Sequence, residues 1–331
     1  MDSALYGYFV SYHTNNITMG KSTHFSGQPL YSQVINLLDR SKILQISQQH
    51  DGERYVKSFN CWSHLVVMLY AVIMRFDSLR EISTSMLAEA RKLVHLRLVT
   101  MPRRSTLADA NKRRPEAIFE EIYRSLYTTY HSRLCSDSRS RKTPKWMKRL
   151  QIIDSTTISL FSNLIFKGVG RHPKIGKKKG GIKVHTVIHA NEGIPSDIKF
   201  TSAATNDSFM LRPGRLSKGD IVAMDRAYIN YEKFEELTQR GVIYVTKMKK
   251  SLRYEVLEDV MYQTPEGYME VRIQYVEFTK LLKDGQSITH KARLITYADV
   301  QKRRLITLLT NDMEFDPTEI IAIYRQRWEI E

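Results

Sequence analysis

The spacing of apolar residues changes once along this chain, and the change divides it into two parts that need different architectures. From Pro29 to about Leu98 the apolar positions recur at intervals of three and four: Leu30, Val34, Leu37 and Leu38, then Leu65, Val66, Leu69, Val72 and Ile73, then Leu79, Ile82 and Met86. Such spacing lays an apolar stripe along one side of a helix. Ile118, Ile122 and Leu126 continue it between Thr106 and Tyr130. The polar run SDSRSRKT (Ser136 to Thr143), closed by Pro144, then reads as a linker. Beyond it come short runs of strand length, LQIID from Leu150, IKVHTVIHA from Ile182, IPSDIKFTSA from Ile194 and DIVAMD from Asp220, with a turn at Glu192-Gly193.

Tyr231 to Arg240 has helical spacing closed by Gly241, and Val242 to Met248 is a further apolar run, so strands and helices mix as in an α/β core. Between Ser251 and Asn311 the pattern alternates: Met269, Val271, Ile273 and Tyr275 interleave with Glu270, Arg272 and Gln274. This predicts a β-rich insertion. Asp316 as N-cap, Pro317 at the first helical position and Glu319 three residues on predict a terminal helix. The expected organisation is an irregular segment 1–24, a helical domain 25–135, a basic linker 136–149, and a mixed core 150–331 with its β-rich insertion at about 249–312, α/β in the core and α+β overall.

Charge narrows the partners. Among 331 residues, 51 lysines and arginines face 35 acids, a formal net charge of +16. That excess exceeds what solubility requires and points to a polyanion. Cys61 and Cys135 can form neither a disulfide framework nor a four-thiolate zinc site, which suits a reducing compartment. The longest apolar run, Leu65 to Met74, is about half the roughly 20 residues of a membrane span. Met1 to Gly20 carries no secretory pattern, so a cytoplasmic protein is expected.

Two acids stand where chemistry collects. Asp154 ends Leu150-Gln151-Ile152-Ile153 and Asp225 ends Ile221-Val222-Ala223-Met224, each at the C-terminal end of an apolar run. Either could instead be a turn former. On the terminal helix Tyr324, Arg327 and Glu331 fall within about 60° of one another, flanked by Ile320 and Trp328. Charges on a buried face would need pairing or a metal, whereas a solvated Arg/Glu pair at i,i+4 would need neither.

Asp154 in IIDST, Asp225 in Asp225-Arg226-Ala227-Tyr228 and the terminal YRQRWEIE together resemble the DDE transposases of bacterial insertion sequences, in the subgroup with a Tyr-x2-Arg-x3-Glu-x6-Lys motif. Tyr324, Arg327 and Glu331 match its first three members. KGGIKVHTVIHANEGIPSDIKFTSAATNDS resembles the strands between the first two acids of these enzymes, and Phe25 to Leu98 resembles their attached helical domain. The resemblance implies a ribonuclease H-like catalytic core in which Asp154, Asp225 and Glu331 hold two divalent cations, magnesium or manganese in its place. Carboxylates are the hard ligands that such ions prefer, and a metal pair suits in-line displacement at a phosphodiester. It further implies that Arg327 and Tyr324 position Glu331 and contact the phosphate, with Tyr228 supporting Asp225. The expected partners are double-stranded DNA, namely terminal inverted repeats and target DNA, and a second copy of the chain in the DNA complex. Nucleoid association follows from that substrate.

Two features depart from the subgroup. Its lysine would lie seven residues beyond Glu331, where the sequence stops, so a truncated chain with weakened catalysis is expected. Trp62, Trp146 and Trp328 all lie outside the β-rich insertion, where hairpin-forming relatives stack a flipped base, leaving Tyr254, Tyr262, Tyr268 or Tyr275 for that role or for core packing.

A DNA substrate also fits the basic surface. Arg139 to Lys183 holds 13 lysines and arginines and one acid, Asp154. Lys145, Lys148, Arg149, Arg171, Lys174, Lys177, Lys178, Lys179 and Lys183 are candidate phosphate contacts, and their binding would be salt-dependent. Arg103, Arg104, Lys112, Arg113 and Arg114 form a second cluster. Gly168-Val169-Gly170 lacks the third glycine of a dinucleotide loop, and His185 and His189 lack the glutamate of a helical zinc motif. Two rival readings are a DNA-binding remnant that occupies element ends and inhibits an intact enzyme, and a structure-specific nuclease of the same fold.

Overall fold

The computed structural model describes residues 30–88, 90–98, 101–134, 143–162, 170–171, 179–263, 270–281, 285, 287–299 and 303–329. Two compact units divide at Thr129/Tyr130, inside a helix and a few residues before the expected linker.

The first unit is helical: α1 (Leu30–Ile35), α2 (Arg40–Gln49), α3 (Cys61–Ile73), α4 (Leu79–Ala88), a 3-10 turn at Ala90–Leu96, α5 (Arg104–Arg113) and α6 (Glu116–Leu134). Side-chain caps set two of the starts. Asp39 accepts from Ser41 N and Lys42 N before α2, and Asn60 accepts from Ser63 N before α3. Trp62, Val66, Val67, Leu107 and Ile118 form the centre of the core, and the Trp62 indole N–H donates to Leu96 O at 3.3 Å. The apolar spacing locates these helices but not every buried face. Helix α1 is only six residues long and buries Ile35, leaving Leu30, Val34 and Leu37 exposed, and Val72 and Ile73 are exposed at the end of α3.

The second unit is built on one mixed ten-stranded sheet: β1 (Leu150–Ser162), β2 (Gly170–Arg171), β3 (Lys179–His189), β4 (Ile194–Ser202), β5 (Ile221–Met224), β6 (Ile243–Lys247), β7 (Glu255–Gln263), β8 (Glu270–Leu281), β9 (Ser287–Asp299) and β10 (Arg304–Thr310). β1 and β3 pair antiparallel, as do β3 and β4, while β5 and β6 extend the sheet parallel to β1. The alternating segment continues the same sheet through β10, which pairs antiparallel with β6, then β9, β8 and the exposed edge strand β7.

Helices cover the two faces of the central strands. Helix α7 (Tyr231–Gln239) packs Phe234 and Leu237 with Ile153, Val222, Met224 and Tyr244, and α8 (Pro317–Glu329) packs Ile320, Ile321, Ile323 and Tyr324 with Leu150, Ile152, Ile221, Ala223 and Val245. Consecutive side chains of β1 and β5 serve opposite layers, as the strand period of two requires. With both faces covered, all four residues of β5 are buried. Gly241 ends α7 at φ +69°, a backbone state that glycine adopts without a Cβ penalty.

Candidate active site

Asp154 and Asp225 arrive side by side because their strands are neighbours. The parallel register of β1 and β5 pairs Ile152 with Ala223 and Ile153 with Met224, and each acid is the next residue along its strand. Asp225 leaves the sheet there and caps the 3-10 turn Arg226–Tyr228 by accepting from Ala227 N at 3.0 Å. Asp154 does not end its strand, contrary to the reading of its run. β1 continues through β-branched Thr156, Thr157 and Ile158 to Ser162, still paired with β3, so the acid marks the end of the parallel pairing only.

Helix α8 brings a cation to both acids. Its start is fixed by Asp316, which accepts from Thr318 N at 2.8 Å and from the Tyr262 hydroxyl at 2.5 Å. Its inner face is fixed by Ile320, Ile323 and Tyr324, all buried against the sheet. Three residues beyond Tyr324, Arg327 is 2% exposed and puts Nη1 3.7 Å from Asp154 Oδ1 and Nη2 4.0 Å from Asp225 Oδ2. Its guanidinium lies 4.3 Å from the centre of the Trp328 ring and 5.5 Å from that of Tyr324, within cation–π range. The two carboxylates keep an open side, with side chains 29% and 38% exposed. Burial pushes the Tyr324 phenol above its ordinary pKa, and the Arg327 charge opposes the shift.

Behind the acids Tyr228 is buried, and burial, with smaller contributions from the Asp207, Asp154 and Asp225 charges, raises its phenol pKa. Asp207 accepts from the Ser155 hydroxyl at 2.8 Å and pairs with Lys183 Nζ at 3.1 Å. Neither Asp207 nor Ser155 stands out in the sequence. Their partnership spans 52 positions and follows from no local spacing.

The expected phosphate contacts divide. Lys145, Lys148 and Arg149 are exposed on the 3-10 turn Lys145–Arg149 that leads into β1. Arg171 lies in β2 and Lys179 begins β3, while Lys174, Lys177 and Lys178 lie outside the described residues. Lys183, expected as a phosphate contact, is instead turned away from solvent. It is 9% exposed, donates to Thr205 O at 2.7 Å and pairs with Asp207, because its place on β3 turns it inward. Glu331 also lies outside the described residues. Tyr262 and Tyr275 pack against the core, Tyr254 packs against Phe278, and Tyr268 is outside the described residues.

Two adjacent carboxylates with an open side are the hard oxygen donors that suit a divalent cation. Among the described residues no third carboxylate, histidine or cysteine joins them in a metal-binding group. Among the same residues no helix is long and apolar enough to cross a membrane.

A mixed sheet with two acids at neighbouring parallel strands, backed by a terminal helix, is the layout of a ribonuclease H-like core. Residues 145–331 match the family described as transposase DDE domain, and residues 26–97 match a domain of unknown function (DUF4372). The chain belongs to the transposase DDE domain family. It is 28% identical over 233 residues to a putative transposase, y4zB, of Sinorhizobium fredii, covering 70% of this chain and 60% of that one. It is 22% identical over 196 residues to a probable transposase of insertion sequence element IS5377 of Geobacillus stearothermophilus, covering 58% of this chain and 48% of that one. The match thus spans about half the length of these curated relatives.

Proposed function

We propose that this chain works as the catalytic part of an insertion-sequence transposase, binding the terminal inverted repeats of its element as a homodimer and cutting and joining DNA there. The observation that carries the reading is the acid pair: Asp154 and Asp225 at the end of the β1–β5 pairing, with the buried Arg327 against both. Asp154 and Asp225, with Glu331, would hold two divalent cations, magnesium or manganese, which when bound supply Lewis acidity toward the attacking and leaving oxygens of a phosphodiester. Arg327 supplies a fixed positive charge beside the acids, suited to a phosphate oxygen at the cut. Its burial under Tyr324 and against Trp328 keeps the guanidinium in one place, so orientation costs little when DNA arrives. Lys145, Lys148 and Arg149, exposed just before β1, suit the backbone on either side.

Two displacements follow. In the first, a water oxygen gives up a proton and bonds to phosphorus, while the bond from phosphorus to the 3′ oxygen breaks and that oxygen takes a proton, leaving a 3′-hydroxyl on the element end and a phosphate on the other side of the cut. In the second, the oxygen of that hydroxyl bonds to a target phosphorus and loses its proton to solvent, while the bond from that phosphorus to the target's 3′ oxygen breaks and the released oxygen takes a proton from solvent to leave as a hydroxyl. The experiment is a nicking assay with magnesium or manganese on a labelled duplex carrying the element's end, with binding measured on the same samples. Cutting at the repeat junction supports the reading. Cutting indifferent to the repeats points to a structure-specific nuclease, end-specific binding without cutting points to an inhibitory DNA-binding protein, and neither binding nor cutting rejects all three.

A further inference from the structure

Ile153 and Met224 are the last residues paired in the parallel ladder of β1 and β5, so the two acids that come next lie just past its end. Arg327 meets both acids from the side of α8, and a second group lies on the opposite face of the sheet. We infer that Asp207, acting through Ser155, is a positioning residue that sets the spacing of Asp154 and Asp225 from the opposite face of the sheet, an inference that rests on reading those acids as the cation-holding pair.

Asp154 and Ser155 are consecutive in β1, so their side chains leave opposite faces. Asp154 goes to the side of α8 and Arg327. Ser155 goes to the other side, where its hydroxyl donates to Asp207 Oδ1 at 2.8 Å. Asp207 opens a 3-10 turn, Asp207–Met210, capped by Asn206, which accepts from Ser208 N. β3 holds Asp207 as well. Lys183 Nζ lies 3.1 Å from Asp207 Oδ1 and also donates to Thr205 O, and two residues along β3 the fully buried His185 puts Nδ1 3.8 Å from the same oxygen while its Nε2 meets Thr201 Oγ1 at 2.8 Å.

Tyr228 closes the group. It follows Asp225 by three residues, it is buried, and its turn packs against the Asp207–Met210 turn. The segments that follow the two acids therefore meet underneath, the one through the bond of Ser155 to Asp207 and the other through the packing of its turn on the Asp207–Met210 turn. Stability alone does not call for such a group, since an apolar filling of a buried Lys–Asp pair is often at least as stable. Holding two ligand-bearing segments at one distance does call for it, because removing the partners that orient metal ligands commonly changes metal affinity by about 10–100-fold.

The test is Mn2+ binding, followed by the electron paramagnetic resonance of free Mn2+, on this chain and its variants, with thermal melting alongside. Ser155→Ala and Asp207→Asn are expected to weaken binding by about 10-fold or more with cooperative melting retained, and Ser155→Thr, which restores a hydroxyl, to bind within about 2-fold of the parent. A merely structural role would not separate alanine from threonine in this way. If Asp207→Asn fails to fold, Ser155→Ala and Ser155→Thr decide. Folded Ser155→Ala that binds Mn2+ like the parent, while Asp154→Ala and Asp225→Ala lose binding, overturns the positioning role alone. Unchanged binding in Asp154→Ala and Asp225→Ala overturns the reading of the acids and the inference with it.

Discussion

Arg327 sets a buried positive charge against two partly exposed negative ones, so the two sides of the contact should respond unequally to substitution. At 3.7 and 4.0 Å each attraction is about 4 kcal/mol for an effective dielectric constant near 20 and about 1 kcal/mol in bulk water, and the exposure of both acids favours the lower part of that span. Replacing Asp154 and Asp225 together by asparagine leaves the guanidinium buried without these two counter-charges. Stranding a buried charge costs about 3–5 kcal/mol, and the amide oxygens that remain favour the lower figure. Arg327→Met removes the buried charge itself, fills a similar volume and leaves two carboxylates that water can reach, so its cost should stay within about 1 kcal/mol. For a unit of this size about 1 kcal/mol moves the midpoint by roughly 2–4 °C, which predicts a fall of roughly 6–12 °C for the double asparagine variant and less than about 4 °C for Arg327→Met. The assay is thermal unfolding by circular dichroism in EDTA, read on the transition of the second unit. Finding Arg327→Met the more destabilised of the two would refute the reasoning.

Burial lowers the pKa values of His64, His185 and His290, so in acid the unfolded chain binds the protons that the folded chain resists. Stability should therefore be fully present above the unfolded histidine value of about 6.5 and fall as the pH drops below it, and His290→Gln should flatten the dependence of melting temperature on pH between 7 and 5. Gly241→Ala would force a Cβ into φ +69°, 3.0 Å from Lys218 Cγ, and is expected to cost about 1 kcal/mol or more by urea titration. Replacing Lys145, Lys148 and Arg149 by glutamine should make DNA binding, followed by fluorescence anisotropy, less sensitive to salt, with the slope falling by about 1 for each of the three that meets a phosphate.

The parts of the site that lie within single segments were legible from their residues. Continuous apolar runs ending in Asp154 and Asp225 reported central strands, and Asp316-Pro317 reported the start of α8, whose spacing put Tyr324 and Arg327 on one face without deciding that this face is buried. What was not legible depends on pairing across the sequence. Lys183 reads as one more residue of a basic run until β3 pairs with β1 and turns it toward Asp207, and the bond between Ser155 and Asp207 exists only in the assembled sheet. The length of β1 had a local signal, in Thr156, Thr157 and Ile158, but a run that ends in an acid resembles a strand that ends there. The exposed Leu30, Val34 and Leu37 show the converse, since helical spacing marks a stripe without saying what covers it.

Whether Asp154 and Asp225 carry the chemistry is tested most directly by comparing Asp154→Ala and Asp225→Ala with the parent chain for magnesium- or manganese-dependent cutting of a duplex bearing the element's end, with binding to that duplex measured in parallel. Loss of cutting in both variants, with DNA affinity within about 3-fold of the parent, is the expected result, since the basic residues proposed to meet the backbone are untouched. Metal-dependent cutting that persists in either variant would contradict it.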